Sequence, residues 1–514
     1  MIHFALRSLL AAAAVVSCSF ATVVPAAEAQ QRTSVAVVAP WHVSGMEPSQ
    51  DGYTYLRMQT GETLVGADLD GKLVPVLATQ WGVSDDGLTW TFTLRQGVSF
   101  HDGTPLTVAA AVASLQRASG KPGVFGMAPI ERIEAADNAV VIRLKRPYAA
   151  LPAVLANYTA MILAPASFDA AGEVTQFIAT GPFEVAELNA PQSMTVRRFD
   201  GYWGAAPAIE TASYLSSHRA ETRALMVESG DADLAFTLDP AGYSRLKALD
   251  DVDVQVKPIP RVIVVKLNIA RAPLADSEAR RALSLAIDRA GIAAGILRFP
   301  EAAASQLFPP AVAGWHNPDL APLTHDPEAA RRILADLGWK PGSDGILERD
   351  GVRFALTLRT FPNRPELPLI AAALQDQWRQ IGVALDVSVG NSSEIPAGHQ
   401  DGSLDMGLYA RNYGLTPDPV VNAMDDFGSG GGDWGAMNWD APAVAAALET
   451  ASGVSDMAQR VPAIATVTEA LQVELPLIPI AWYQQTVAHP AALKGVAVDP
   501  LERTYGLSDL RWAE

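Results

Sequence analysis

The side chains best suited to bind a small molecule cluster late in the chain, between Met406 and Trp439. Arg411 carries a planar guanidinium that can grip a carboxylate through two parallel N–H bonds. Tyr413, two residues on, offers a ring face for stacking. A free peptide carboxylate or a metal-binding polycarboxylate would suit Arg411 equally, and a salt bridge within its own part of the protein is the competing use. The run Gly428-Ser429-Gly430-Gly431-Gly432-Asp433-Trp434-Gly435 contains a formal GxGxxG from Gly430 to Gly435. It neither follows a strand nor opens a helix, so a dinucleotide site is not expected there. A flexible loop carrying Trp434, with Trp439 just beyond, fits better, both indoles being placed to touch a ligand.

Other patterns that could do chemistry are incomplete. Gly66-Ala67-Asp68-Leu69-Asp70-Gly71-Lys72 starts like a phosphate-binding loop, but Leu73 stands where Ser or Thr should hold magnesium, and Pro75 follows where a helix should open. A polar hairpin is expected instead. The eight histidines are scattered, the nearest downstream pair being His316 and His325, so no metal-ligand spacing exists. There is no Gly-x-Ser-x-Gly elbow, HExxH, Ser-x-x-Lys or cysteine nucleophile. Asp425-Asp426 are the only suggestive carboxylates, and adjacent residues point apart unless the backbone turns. No enzyme, no cofactor and no resident metal are expected.

Composition sets the context. The 514 residues carry net charge −18 and one cysteine, Cys18. Such an acidic chain should not hold nucleic acid or anionic lipid through net charge. Arg7 precedes an apolar run, Ser8 to Val16, too short to span a bilayer. Ala27-Glu28-Ala29 then offers a small-x-small cleavage site, so residues 1–29 are expected to be a signal peptide and the protein periplasmic. Val15-Val16-Ser17-Cys18 loosely fits a lipoprotein box, the alternative in which Cys18 is lipidated.

Elements that must position these residues can be read in order. Val35 to Val38 is a buried strand ending at Pro40-Trp41, and the following segment supplies Tyr55 and Met58 as candidate pocket residues, with ordinary core packing as the alternative. Trp90 to Leu94 alternates as a strand, and Thr107 caps an Ala/Val/Leu-rich helix to Arg117. Ile130 to Leu144 reads as a hairpin turning at Asp137-Asn138. Val262 to Ile269 is a nearly continuous β-branched run, as in a strand buried on both faces. Asp276 caps a helix whose apolar stripe is Ala279, Leu283, Ala286, Ile287 and Ala290, with Arg280, Arg281 and Arg289 expected on the solvated face or in local pairs. Asp326-Pro327-Glu328 through Gly338 specifies another helix. Phe354–Leu358, Ala371–Ile381 and Val383–Val389 then give strand, helix and strand, a parallel α/β unit.

These parts resemble one family. The stretch Leu64-Val65, Pro75-Val76-Leu77-Ala78-Thr79-Gln80-Trp81, Asp86-Gly87-Leu88-Thr89-Trp90-Thr91-Phe92, Leu94-Arg95-Gln96-Gly97-Val98, Phe100 and Asp102-Gly103-Thr104-Pro105 is similar, in register, to extracytoplasmic solute-binding proteins of family 5, the peptide and nickel type. Thr180-Gly181-Pro182-Phe183, Tyr202-Trp203-Gly204 and Pro476 to Tyr483 match further hallmarks. Leu408 to Gly414 with Pro417-Asp418-Pro419 resembles the family's cleft loop, which adds Asp418 to the candidate ligand residues.

The resemblance implies an α/β, two-lobed periplasmic-binding-protein fold (type II, the large peptide/nickel-binding variety). It implies a first lobe at about 30–265 with an inserted subdomain at 64–165, a second lobe at 266–482, and a return at 483–514. Two crossing strands would permit hinge closure around a solute. It also implies a monomer that delivers a short peptide or a chelated metal to an ABC permease and its ATPase subunits. A non-transporting receptor on the same fold would share every one of these features. Two departures stand out. Gly428 to Gly432 replaces an expected histidine, and Ala153 to Ala164 lacks an expected arginine, so capture of a bare metal ion is not expected.

Overall fold

A computed structural model describes residues 32–312 and 314–513. The expected signal peptide, its cleavage site and Cys18 lie outside the described residues. Thr33–Ala513 forms one compact unit.

A mixed sheet of ten strands runs through the whole body. Its spine is an antiparallel pair of unusual length, Val252–Leu267 with Leu477–Pro490. The early half of Val252–Leu267 pairs with the late half of Leu477–Pro490, whose other edge holds Leu234–Phe236 and, through it, Ser34–Ala39. The late half pairs with the early half of Leu477–Pro490 and, on its other edge, with Met406–Asn412, which continues to Ala355–Thr360 and Ala384–Val389. Between these halves the register shifts at Pro258–Val262. Pro258 and Pro260 have no N–H to donate, so the ladder breaks there and the chain can bend between the two lobes. The crossing strands expected at Val262–Ile269 and Pro476–Tyr483 are therefore the second-lobe ends of longer ones.

Local chemistry accounts for the flanking elements. Thr107 accepts from Ala110 N at 3.1 Å and starts the helix Val108–Ser119. Asp326 accepts from Ala329 N at 2.8 Å, and the helix Pro327–Asp336 ends before Gly338 at φ +87°. Ala78–Val83, Thr89–Leu94, Ile130–Ala136 and Ala139–Leu144 make a separate four-stranded sheet within the expected inserted subdomain. The expected polar hairpin is present at Val65–Ala67 and Leu73–Pro75, with Asp68 Oδ1 accepting from the N–H groups of Asp70 and Lys72. The parallel pair Ala355–Thr360 and Ala384–Val389 is joined by the helix Glu366–Gln380.

Two arginines expected on the solvated face or in local pairs are buried instead. Arg280 donates to the carbonyls of Glu474 (2.7 Å), Leu274 (2.9 Å) and Ala275 (3.1 Å). Arg289 donates to Pro479 O (2.8 Å) and Ser284 O (3.0 Å). Each guanidinium ties the helix Ser277–Leu285 to a neighbouring segment by satisfying carbonyls left over at element ends. Arg281 alone meets the expectation, lying exposed beside Glu278 at 3.2 Å. No helix among the described residues is long and apolar enough to cross a membrane.

Candidate functional site

A cavity of about 310 Å³ opens where the carboxyl ends of several strands meet. Ser34–Ala39 ends at Pro40 and Trp41 on one wall, and the helix Pro48–Arg57 adds Tyr53 and Arg57. The opposite wall comes from Phe361, Asn363 and Arg364 after Ala355–Thr360, from Ala410 to Asn412 at the end of Met406–Asn412, and from Trp434. Arg261 contributes from the register break of the crossing strand.

Four arginines border this cavity, and no Asp, Glu, Lys or His does. Their compensation is uneven. Arg411 is held by Asp426, Nε and Nη2 donating at 2.8 and 2.7 Å, and Nη2 also reaches Asp425 at 3.3 Å. Burial opposes its charge, but the Asp426 carboxylate outweighs it and holds the guanidinium firmly protonated. Arg57 and Arg261 share one carboxylate, Glu502. Arg261 Nη2 and Asn412 Nδ2 both donate to Glu502 Oε2, while Arg57 Nη2 lies 3.9 Å from Oε1. Arg57 Nε donates to the backbone carbonyl of Glu502 at 2.6 Å. Burial, followed by the like charge of Arg364, pushes Arg261 down to about 10. For Glu502, burial is overcome by Arg261, Arg57 and Arg364, and its carboxyl sits below the usual range.

Arg364 donates to Tyr483 Oη at 3.2 Å. The Cζ atoms of Arg364 and Arg261 lie 5.3 and 5.0 Å from the Tyr483 ring centroid. Arg57 stacks over Trp41, Cζ to centroid 4.2 Å. Three buried guanidinium nitrogens, Arg57 Nη1 and Arg261 Nε and Nη1, have no protein acceptor. Buried N–H groups of charged side chains are rarely left so, and a ligand oxyanion would satisfy them.

The structure brings together only two of the seven ligand residues expected from sequence, Arg411 and Trp434. Tyr55 and Met58 are fully buried. Tyr55 stacks on Phe177 at 3.8 Å and donates its hydroxyl to Gly45 O. Both belong to the core beneath the first strand. The helix Pro48–Arg57 does face the cavity, but through Tyr53 and Arg57, one turn apart at i and i+4; positions 55 and 58 form a different stripe. Tyr413 and Asp418 line a second cavity of about 450 Å³ on the far side of the loop. There Tyr413 lies edge-on to Phe308, and Asp418 accepts from Arg460 Nη2 at 2.7 Å. Trp439 is buried away from both cavities, donating to Glu474 at 2.6 Å.

Sequence reasoning missed Trp41, Tyr158, Arg261, Arg364 and Asn412 as cavity residues. Only the arginine beside Pro260, at the start of an otherwise apolar strand, gave a signal.

The loop carrying Trp434 is anchored. Lys266 Nζ donates to Gly432 O (2.9 Å) and Asp433 O (2.8 Å) and lies 2.5 Å from His399 Nδ1. Gly435 packs so closely on Asp426 that a Cβ would fall 2.2 Å from its Cα. His42 and His218 meet edge to face, centroids 4.1 Å apart, but among the described residues no three His, Cys, Asp or Glu side chains converge as metal ligands.

Fold and cavity together define a two-lobed, type II solute-binding protein whose cleft lies beside two crossing strands. Residues 72–434 match the family described as bacterial extracellular solute-binding proteins, family 5 Middle, and the chain belongs to that family. It is similar to the glutathione-binding protein GsiB of Escherichia coli strain K12, 28% identical over 342 residues. GsiB of Salmonella typhimurium LT2 is 29% identical over the same length. Each match covers 65% of this chain and 64% of the relative, so the chain spans under two thirds of these relatives' length.

Among solved structures, NikA from Brucella suis in complex with Fe(III)-EDTA superposes with TM-score 0.85 at 23% identity, covering 94% of this chain and all of that one. DppA from Helicobacter pylori in complex with the peptide STSA gives 0.81 at 21% identity, covering 94% and 98%. At these identities the likeness is one of fold.

Proposed function

We propose that this protein is the periplasmic solute-binding component of an ABC importer, capturing a short peptide or a chelated metal and passing it to a membrane permease served by ATPase subunits. The observation that carries the reading is the guanidinium-lined cavity beside the two crossing strands. Arg57 stands on the first lobe, Arg364 on the second, and Arg261 at the register break between them. A solute carboxylate held by both sides favours closure, because closure adds contacts to the same charge. Family membership supports the transport role, and the ligands named for these relatives, glutathione, a peptide and a metal chelate, are all carboxylate-bearing. The lobes run about 30–265 and 266–482 with a return at 483–514, and the protein acts as a monomer.

Binding rather than hydrolysis also follows from the use of the carboxylates. Asp426 and Asp425 are engaged by Arg411 and so are not poised as an acid–base pair.

Native mass spectrometry of protein exported and purified without denaturation, before and after a chelator wash, tests the proposal. Adducts matching short peptides, or one adduct with a metal isotope pattern that the chelator removes, support it. Protein that carries no adduct and binds no peptide or metal chelate by calorimetry refutes it.

A further inference from the structure

Resting on that reading and narrowing it, we infer that the cleft takes an organic dianion without a free ammonium group, and discriminates against zwitterionic peptides. Among the described residues, the only ionisable groups bordering the cavity besides tyrosine are the four arginines. Arg411 is more than neutralised by Asp425 and Asp426, neither of which borders the cavity. Arg57 and Arg261 divide the single charge of Glu502, leaving one positive charge over. Arg364 has no carboxylate within ion-pair distance among the described residues, and its partner is the neutral Tyr483 hydroxyl; Glu366, two residues on, acts on it at longer range. One guanidinium of the Arg57–Arg261 pair and that of Arg364 are therefore without a carboxylate of their own, and Arg261 and Arg364 both lie beside the Tyr483 ring.

Arg57 Nη1 and Arg261 Nε and Nη1, on two of the arginines that border the cavity, are buried donors without protein acceptors among the described residues. A carboxylate, which only accepts, satisfies several at once.

An ammonium is balanced best by a carboxylate, and none borders the cleft among the described residues. Asn412 stands where an acid would serve, but it is an amide already used at both ends. Its Nδ2 donates to Glu502, and its Oδ1 accepts from Gly414 N at 2.6 Å. Trp41 and Tyr53 have Arg57 over their faces at 4.2 and 5.4 Å. Among the described residues, the buried unpartnered side-chain acceptor bordering the cavity is the amide oxygen of Asn363, which carries no charge to balance an ammonium.

Calorimetry on the full exported protein with a matched pair isolates the ammonium. Ala-Glu and N-acetyl-Ala-Glu share a skeleton and two carboxylates and differ in that one charge. The acetylated dianion should bind at least tenfold more tightly, and Arg364→Gln should remove most of the difference. Equal or tighter binding of Ala-Glu, or a co-purified solute that reacts with an amine-labelling reagent, overturns the inference and leaves the transport reading intact. Failure of every probe on protein that also carries no adduct overturns both. Succinate and Ni(II)-EDTA, both dianions without an ammonium at neutral pH, separate the two sources: binding of Ni(II)-EDTA alone assigns a metal chelate, and binding of succinate a free polycarboxylate, either of which supports the inference.

Discussion

Replacing Arg411 by alanine should reveal a stability role larger than its binding role. Asp426 is fully buried and is held through two guanidinium bonds of 2.7 and 2.8 Å. Removing the cation strands a carboxylate in the interior, which typically costs about 3–5 kcal/mol. If the Thr33–Ala513 body melts as one unit, an unfolding entropy of about 2 cal/mol/K per residue makes 1 kcal/mol worth about 1 °C, so Tm should fall by about 3–5 °C. The opposite deletion should cost less. Arg411 borders the cleft, and Asp425 at 3.3 Å remains as a partner after Asp426→Leu. The double variant Arg411→Met/Asp426→Leu, which replaces the pair with apolar groups, should recover to within about 1 kcal/mol of the parent. Differential scanning calorimetry of the four proteins at pH 7 closes the cycle. An unchanged Tm for Arg411→Ala, or single losses that simply add in the double variant, would refute the claim that this is a buried, mutually dependent pair.

Three further outcomes follow from buried groups. Burial pushes the Glu62 carboxyl up to about 7, against the donors Trp203, Thr180 and Tyr202. A raised folded pKa means the stabilisation is complete below about 4.5 and lost as pH rises through about 7, so Glu62→Gln should flatten the fall in Tm across that window. Burial pushes Lys266 down to about 7, so the folded state releases its proton first and this group's contribution rises between about pH 7 and 10.5. Lys266→Met should abolish that rise and, by freeing the Gly432 and Asp433 carbonyls, speed amide exchange around Trp434. Glu502→Gln leaves Arg57 and Arg261 without their shared carboxylate. It should lower stability by about 3 kcal/mol while tightening binding of a dianion severalfold, measured by calorimetry at low salt.

Much of the fold was legible because its signals are local. A cap such as Asp326, the Pro327 that follows it, and the β-branched run of Val262 to Val265 act on their immediate neighbours, and the expected elements formed there. The family's order of motifs supplied the two-lobed architecture that periodicity alone does not give. Arg411 and Trp434, which border the cavity, sit in one short, polar and glycine-rich stretch of chain. The other five expected ligand residues lie away from this cavity for reasons sequence cannot express. Tyr55 and Tyr53 lie two residues apart on one helix, and which stripe faces the cavity depends on how that helix docks. Arg280 and Arg289 carry full charges, yet they are buried because carbonyls from Glu474 and Pro479, far along the chain, are there to receive them.

The sequence by itself determined the secondary elements, the crossing strands and the acidic surface, because propensity, capping and net charge are properties of neighbouring residues or of composition. Only the tertiary structure decided the cleft. Its charge comes from Arg57, Arg261 and Arg364, scattered along the chain, and from Glu502, which arrives with the C-terminal segment to neutralise part of it. Whether an arginine is spare or paired depends on the distance to a carboxylate, and distance between remote residues exists only once the chain has folded.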